Sequence, residues 1–196
     1  MSSTHAKSTS STVCYSRFAV ALHWLLAAAL FAQLALGWWM IDIPKSPPGL
    51  RAGWFNVHKS IGLTIALVVL VRIVWRTIHP VAAHGALPAW QRQAARLNHA
   101  LLYLCMLAIP LSGYLGSTFT RYPVRYFGIV LPDWNRDWPA AKELMSAVHY
   151  AGVWLFMTLL ALHIAAALWH WLKRDPVCAR MGLPALPRLV QELTRR

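Results

Sequence analysis

The stretch from Met145 to Leu172 limits the fold more than any other part of the chain. It reads MSAVHYAGVWLFMTLLALHIAAALWHWL, apolar and long enough to cross a bilayer, yet it carries His149, His163 and His170. His149 and His163 are fourteen residues apart. At about 100° per residue this is nearly four full turns, so both imidazoles leave one face of one helix. The rise between them is about 21 Å, most of the hydrocarbon thickness. Two metal-ligating side chains then stand near opposite membrane surfaces and look the same way. His170 follows seven residues later, about 20° off the same line and close to a water surface.

The rest of the chain agrees with a membrane setting. Of 196 residues, 58% are hydrophobic and 13% charged. Four runs of spanning length are expected as helices: Ala19–Ile41, Val57–Ile78, Leu97–Phe119 and Met145–Leu172. The expected fold class is all-α, an integral membrane four-helix bundle spanning residues 17–175. Residues 1–16, rich in Ser and Thr, read as a disordered tail, and 176–196 as a second tail. The first apolar run is too long for a signal peptide and lacks a small-residue cleavage site, so it reads as a retained helix. Trp38, Trp39, Trp54, Trp75, Trp169 and Trp171 fall at the ends of these runs, where an interfacial belt wants them.

Other classes are excluded more simply. The three cysteines, at 14, 105 and 178, are too scattered for a metal motif. No Cys-x-x-Cys-His occurs, so a haem here is not attached covalently in the c-type manner. The net charge of +13 does not indicate nucleic acid, because the basic residues lie in loops around apolar runs.

Taken in order, the polar residues inside the runs form a pattern. His23 sits about one turn into the first helix, and Gly37 lies fourteen residues later on the same face. A ligand at one level and bare backbone at the other suit a helix beside two stacked flat cofactors. His58 opens the second helix, Gly62 follows one turn on, and Arg72 lies fourteen residues beyond His58. Arg72 fits either snorkelling or pairing with a carboxylate of a bound cofactor. His99 near the start of the third helix suits an interfacial residue, a ligand or a hydrogen-bond partner. Pro110 with Gly113 points to a kink or a close-packed segment. His5, His79 and His84 read as ordinary tail and loop residues. The first loop is expected over Asp42–Asn56, the second over Thr77–Arg96, and the third, over Ser117–Leu144, as a structured cap.

Basic residues set the orientation. Twelve of the nineteen Lys and Arg lie in the amino tail, around the second loop and in the carboxyl tail. The other seven, around the first and third loops, are offset by Asp42, Asp133, Asp137 and Glu143. The positive-inside rule then puts both termini in the cytoplasm. His23 and His163 fall near the cytoplasmic side, and His58 and His149 near the outer side. Each level holds two histidines from different helices, as a bis-imidazole haem requires.

These pieces resemble the bacterial cytochrome b561 family of small di-haem membrane cytochromes, which is related to the cytochrome b subunits of hydrogenases and formate dehydrogenases. The matching segments are RFAVALHWL, NVHKSIG, RLNHALLYLCMLAIPLSG, FGIVLP, SAVHYAG and LHIAAALWHWLKRDPVCARM, covering roughly Tyr15 to Met181. The resemblance implies two b-type haems ligated by His23, His58, His149 and His163, with His99 and His170 in auxiliary roles. It also implies a multi-pass protein of the bacterial inner membrane that moves electrons between a donor at one surface and a quinone at the other, superoxide being one such donor. An anchor subunit serving a partner dehydrogenase is the alternative within the fold. A haem-free transporter or scaffold is the alternative outside it, disfavoured because the spans carry no spare carboxylate for an ion path.

Two substrate regions are expected. Lys59, Arg121 and Arg125 form an outer basic cluster that steers an anionic donor, or else simply faces lipid headgroups. His170, with Trp169, Trp171 and Lys173, forms an amphipathic pocket for a quinone, or else an interfacial belt.

Overall fold

A computed structural model describes residues 16–46, 49–80, 88–132 and 137–173. Both tails, with Cys14 and Cys178, and His84 of the second loop lie outside the described residues. Four helices form: α1 (Arg17–Ile41), α2 (Leu50–Ile78), α3 (Ala89–Thr118) and α4 (Pro139–Leu172). All four are long and apolar enough to cross a membrane. Leu25, Phe31, Leu67, Val71, Leu104, Leu111, Leu155 and Leu162 are exposed along them. A soluble monomer does not present that much apolar surface; a bilayer covers it.

The helices reach further than the apolar runs. Leu50–Asn56, Ala89–Arg96 and Pro139–Leu144, expected as loop, are helical. Their mixed polar sequence hides them from a hydropathy reading, but nothing in it breaks a helix. Pro139 even occupies the first turn of α4, where a missing N–H costs nothing. Ser16 caps α1 by accepting a hydrogen bond from the Ala19 amide at 3.2 Å. Pro110 lies within a continuous α3.

The third loop is a structured cap built on a short antiparallel hairpin, β1 (Arg125–Tyr126) and β2 (Ile129–Val130). Its two-residue turn has positive φ at both Phe127 (46°) and Gly128 (94°), the primed geometry that matches strand twist. The hairpin is stitched to α2. The Phe127 amide donates to Ser60 Oγ at 2.9 Å, and Tyr126 and Thr64 share a hydroxyl hydrogen bond at 3.0 Å. Val124 is fully buried beneath it.

α1 packs on α2, α2 on α3, and α3 most extensively on α4, whereas α4 does not pack closely on α1 or α2. One core joins Leu26, Ile65 and Val69; the other joins Leu102, Cys105, Phe156 and Leu159. Leu30 and Met106 border both. A slot is therefore left between α4 and the α1–α2 pair, and the histidines face into it. The two ends are called here the cap side, with the hairpin, and the terminal side, where α1 begins and α4 ends.

Candidate paired-histidine sites

At the cap side, His58 of α2 faces His149 of α4 with ring centroids 6.3 Å apart. His149 Nδ1 donates to the Ile109 carbonyl at 2.8 Å. A carbonyl only accepts, so Nδ1 carries the proton and Nε2 keeps its lone pair, the form that ligates a metal. Ser112 Oγ donates to the same carbonyl at 2.8 Å. Gly113 makes this arrangement possible: a Cβ there would lie 3.1 Å from His149 Nδ1. Gly37 does the same for the other ring, since its Cβ would lie 3.1 Å from His58 Cε1. Gly62 is buried, and a Cβ on it would meet Gln33 Nε2 at 3.2 Å.

A largely apolar cavity of about 250 Å³, partly open to the surroundings, lies against both rings. Gly37, Gly62, Gly113, Phe156 and Lys59 are among its lining residues. His58 Nδ1 and Gln33 Oε1 are buried there without a hydrogen-bond partner. An unpartnered buried polar atom costs about 1–3 kcal/mol.

At the terminal side three imidazoles from three helices gather. His23 of α1 and His163 of α4 have centroids 6.2 Å apart, and His99 of α3 lies 5.2 Å from His163. His99 Nδ1 donates to Ala95 O at 2.7 Å, which leaves its Nε2 as the bare nitrogen. Arg72 turns into the bundle rather than out to the headgroups. Its guanidinium donates to Tyr103 Oη at 3.1 Å and Ala19 O at 3.0 Å, and its third nitrogen stands 3.4 Å from His23 Nδ1.

The spacings discriminate among pairs. An imidazole nitrogen bonds a first-row metal at about 2.0–2.1 Å, so two rings flanking one ion have centroids roughly 6.3 Å apart. His58–His149 and His23–His163 match that value, at 6.3 and 6.2 Å. His99–His163, at 5.2 Å, is shorter than a directly opposed pair. The donor set also fits haem iron, since each level offers two nitrogen ligands across an apolar slot.

Of the other expected residues, Lys59, Arg121 and Arg125 lie toward the cap end and His170 and Lys173 toward the terminal end. Arg121 pairs with Asp137 at 2.6 Å across the cap, which neutralises much of its charge. The Arg125 side chain is exposed at the hairpin, and Lys59 is half-buried beside His58. On the terminal side Lys173 Nζ lies 4.3 Å over the Trp169 ring, and His170 is half-buried one turn from the end of α4. Sequence reasoning missed Gln33, Ser112 and Tyr103, the polar groups that touch the histidines or their neighbours. Gln33 left one signal: it is an uncharged polar residue in the middle of an apolar run, one turn before Gly37.

Two imidazole pairs thus stand at opposite ends of a bundle of four helices long and apolar enough to cross a membrane. The chain belongs to the prokaryotic cytochrome b561 family, whose model matches residues 14–183. It is 34% identical over 176 residues to cytochrome b561 homolog 2 of Escherichia coli strain K12, covering 85% of this chain and 90% of that protein. Cytochrome b561 homolog 1 of the same organism is 25% identical, over 85% of this chain and 96% of its own length. A heme A synthase of Rhodopseudomonas palustris strain BisB5 is 32% identical over 85% of this chain, which spans 47% of that protein. Membership makes this a multi-pass bacterial membrane haem protein of transmembrane electron transfer.

Proposed function

We propose that the chain carries electrons through two b-type haems, one held by His58 and His149 on the cap side and one by His23 and His163 on the terminal side. The observation that carries this reading is the ring spacing, 6.3 Å in one pair and 6.2 Å in the other. Haems held by these histidines would supply one-electron transfer. The chain's residues do the rest. Ile109 O holds the His149 tautomer, Gly37 and Gly113 admit the imidazoles, and Arg72 places a cation beside His23.

The charge bias puts the cap outside and both termini in the cytoplasm, in the bacterial inner membrane. The donor then docks at the cap. Lys59 and Arg125 favour an anion there, superoxide being the small candidate, while Arg121 contributes less because Asp137 faces it. The acceptor on the terminal side is a quinone, with His170, Trp169 and Lys173 lining its approach. A quinone takes up protons when reduced, and a histidine near water can deliver them. The modest cap supports a self-contained oxidoreductase over an anchor subunit.

Vesicles reconstituted with the purified protein test this. A membrane-impermeant reductant outside should reduce an acceptor trapped inside, and quinone reduction should slow in His170→Ala with both haems retained. No transfer across a haem-loaded membrane would remove the reading. Normal quinone kinetics in the variant would place the quinone elsewhere.

A further inference from the structure

Gln33 is the one polar side chain of α1 that reaches α2 at the cap-side level. Its amide lies 2.7 Å from the His58 carbonyl. That contact fixes the amide orientation: a carbonyl can only accept, so the near atom is Nε2 and the far atom is Oε1. Gly62, one turn beyond His58, leaves the space this needs, since a Cβ there would stand 3.2 Å from Nε2. Gly37, one turn beyond Gln33 on the same face of α1, lies flat against the His58 ring. α1 thus grips His58 twice, by its backbone through Gln33 and by its ring through Gly37.

The grip leaves two atoms unsatisfied, Gln33 Oε1 and His58 Nδ1, both buried and both belonging to residues that line the same cavity. One is an acceptor. The other carries a proton whenever Nε2 ligates a metal. His149 already has its partner in Ile109 O, so the unmet demand is confined to His58. We propose that Gln33 is a positioning residue for His58, its Oε1 accepting the Nδ1–H of the ligating imidazole while its Nε2 anchors the same residue's carbonyl.

The inference rests on the proposed haem between His58 and His149. A hydrogen bond at Nδ1 makes the opposite nitrogen a stronger electron donor and favours the oxidised metal. The test is a redox titration of Gln33→Leu, Gln33→Asn and Gln33→Glu, with the terminal-side haem of the same molecule as internal reference. Leu cannot accept and Asn is too short to reach, so both should raise the cap-side midpoint potential. Glu keeps an acceptor but gives up the donor to the His58 carbonyl, and its charge lowers the potential by itself, so Leu and Asn carry the test. The terminal-side potential should stay fixed in all three. A lowered or unchanged cap-side potential in both Leu and Asn overturns the proposal. If Gln33→Leu loses the cap-side haem, the sign of the Asn shift decides. A wild-type protein without a cap-side haem would instead refute the haem assignment itself.

Discussion

The two histidine levels are alike in spacing and unlike in surroundings. At the cap side the rings meet a carbonyl, a hydroxyl and bare glycine backbone, with Lys59 half-buried beside His58. At the terminal side they meet a guanidinium, a third imidazole and, through Arg72, a tyrosine. The same ligand set is thus placed in two electrostatic settings. A fixed cation favours the state with one more electron, so the terminal-side centre should hold electrons more tightly.

Removing ligands breaks the comparison most severely. His58→Ala or His149→Ala should abolish the cap-side spectral component, and His23→Ala or His163→Ala the terminal-side one. Redox titration followed by absorbance reports this. Loss of the same component in His58→Ala and His163→Ala would refute the level pairing. A smaller effect comes from Arg72→Gln, which should weaken the terminal-side electron affinity by about 1–3 kcal/mol and leave the cap side unchanged. Equal shifts at both levels would mean that Arg72 acts on the whole protein rather than on His23.

Steric tests come next in size. Gly37→Ala places a methyl 3.1 Å from His58 Cε1, so the ring must move. Overpacking of this kind costs about 1–3 kcal/mol, seen as lower cap-side haem occupancy with the terminal-side haem intact. Normal occupancy of both would show that α1 yields easily there. The smallest effect is expected at the surface. Arg125→Gln should lower the rate with an anionic donor a few-fold and flatten its salt dependence. Arg121→Gln should do less, because Asp137 already faces that charge. An unchanged salt dependence in Arg125→Gln would remove the case for an anionic donor.

Apolar runs of spanning length made the four helices legible, and the fourteen-residue spacing of His149 and His163 put two rings on one face of α4, because a helix converts sequence distance into direction and depth. Helix ends were not legible, since Ala89–Arg96 and Leu50–Asn56 carry charge and aromatic belts that mimic loop composition. Gly113 pointed to close packing, and the structure sets it against His149. The partners of the imidazoles were hidden for another reason. Gln33 to His58 and Ile109 to His149 are contacts between different helices, and no periodicity within one helix says which residue of a neighbour stands opposite. Arg72 shows the same limit: its face and depth were readable, but its inward turn onto Tyr103 and Ala19 depends on α3 and α1.

The central claim is that each level holds one haem between two histidines. The most direct measurement is the haem-to-chain ratio of the purified protein, together with the spectrum of its reduced form. The account predicts about two b haems per chain, falling to about one in both His58→Ala and His23→Ala, with a different component lost in each. A ratio of one in the wild-type chain, or none, would contradict it.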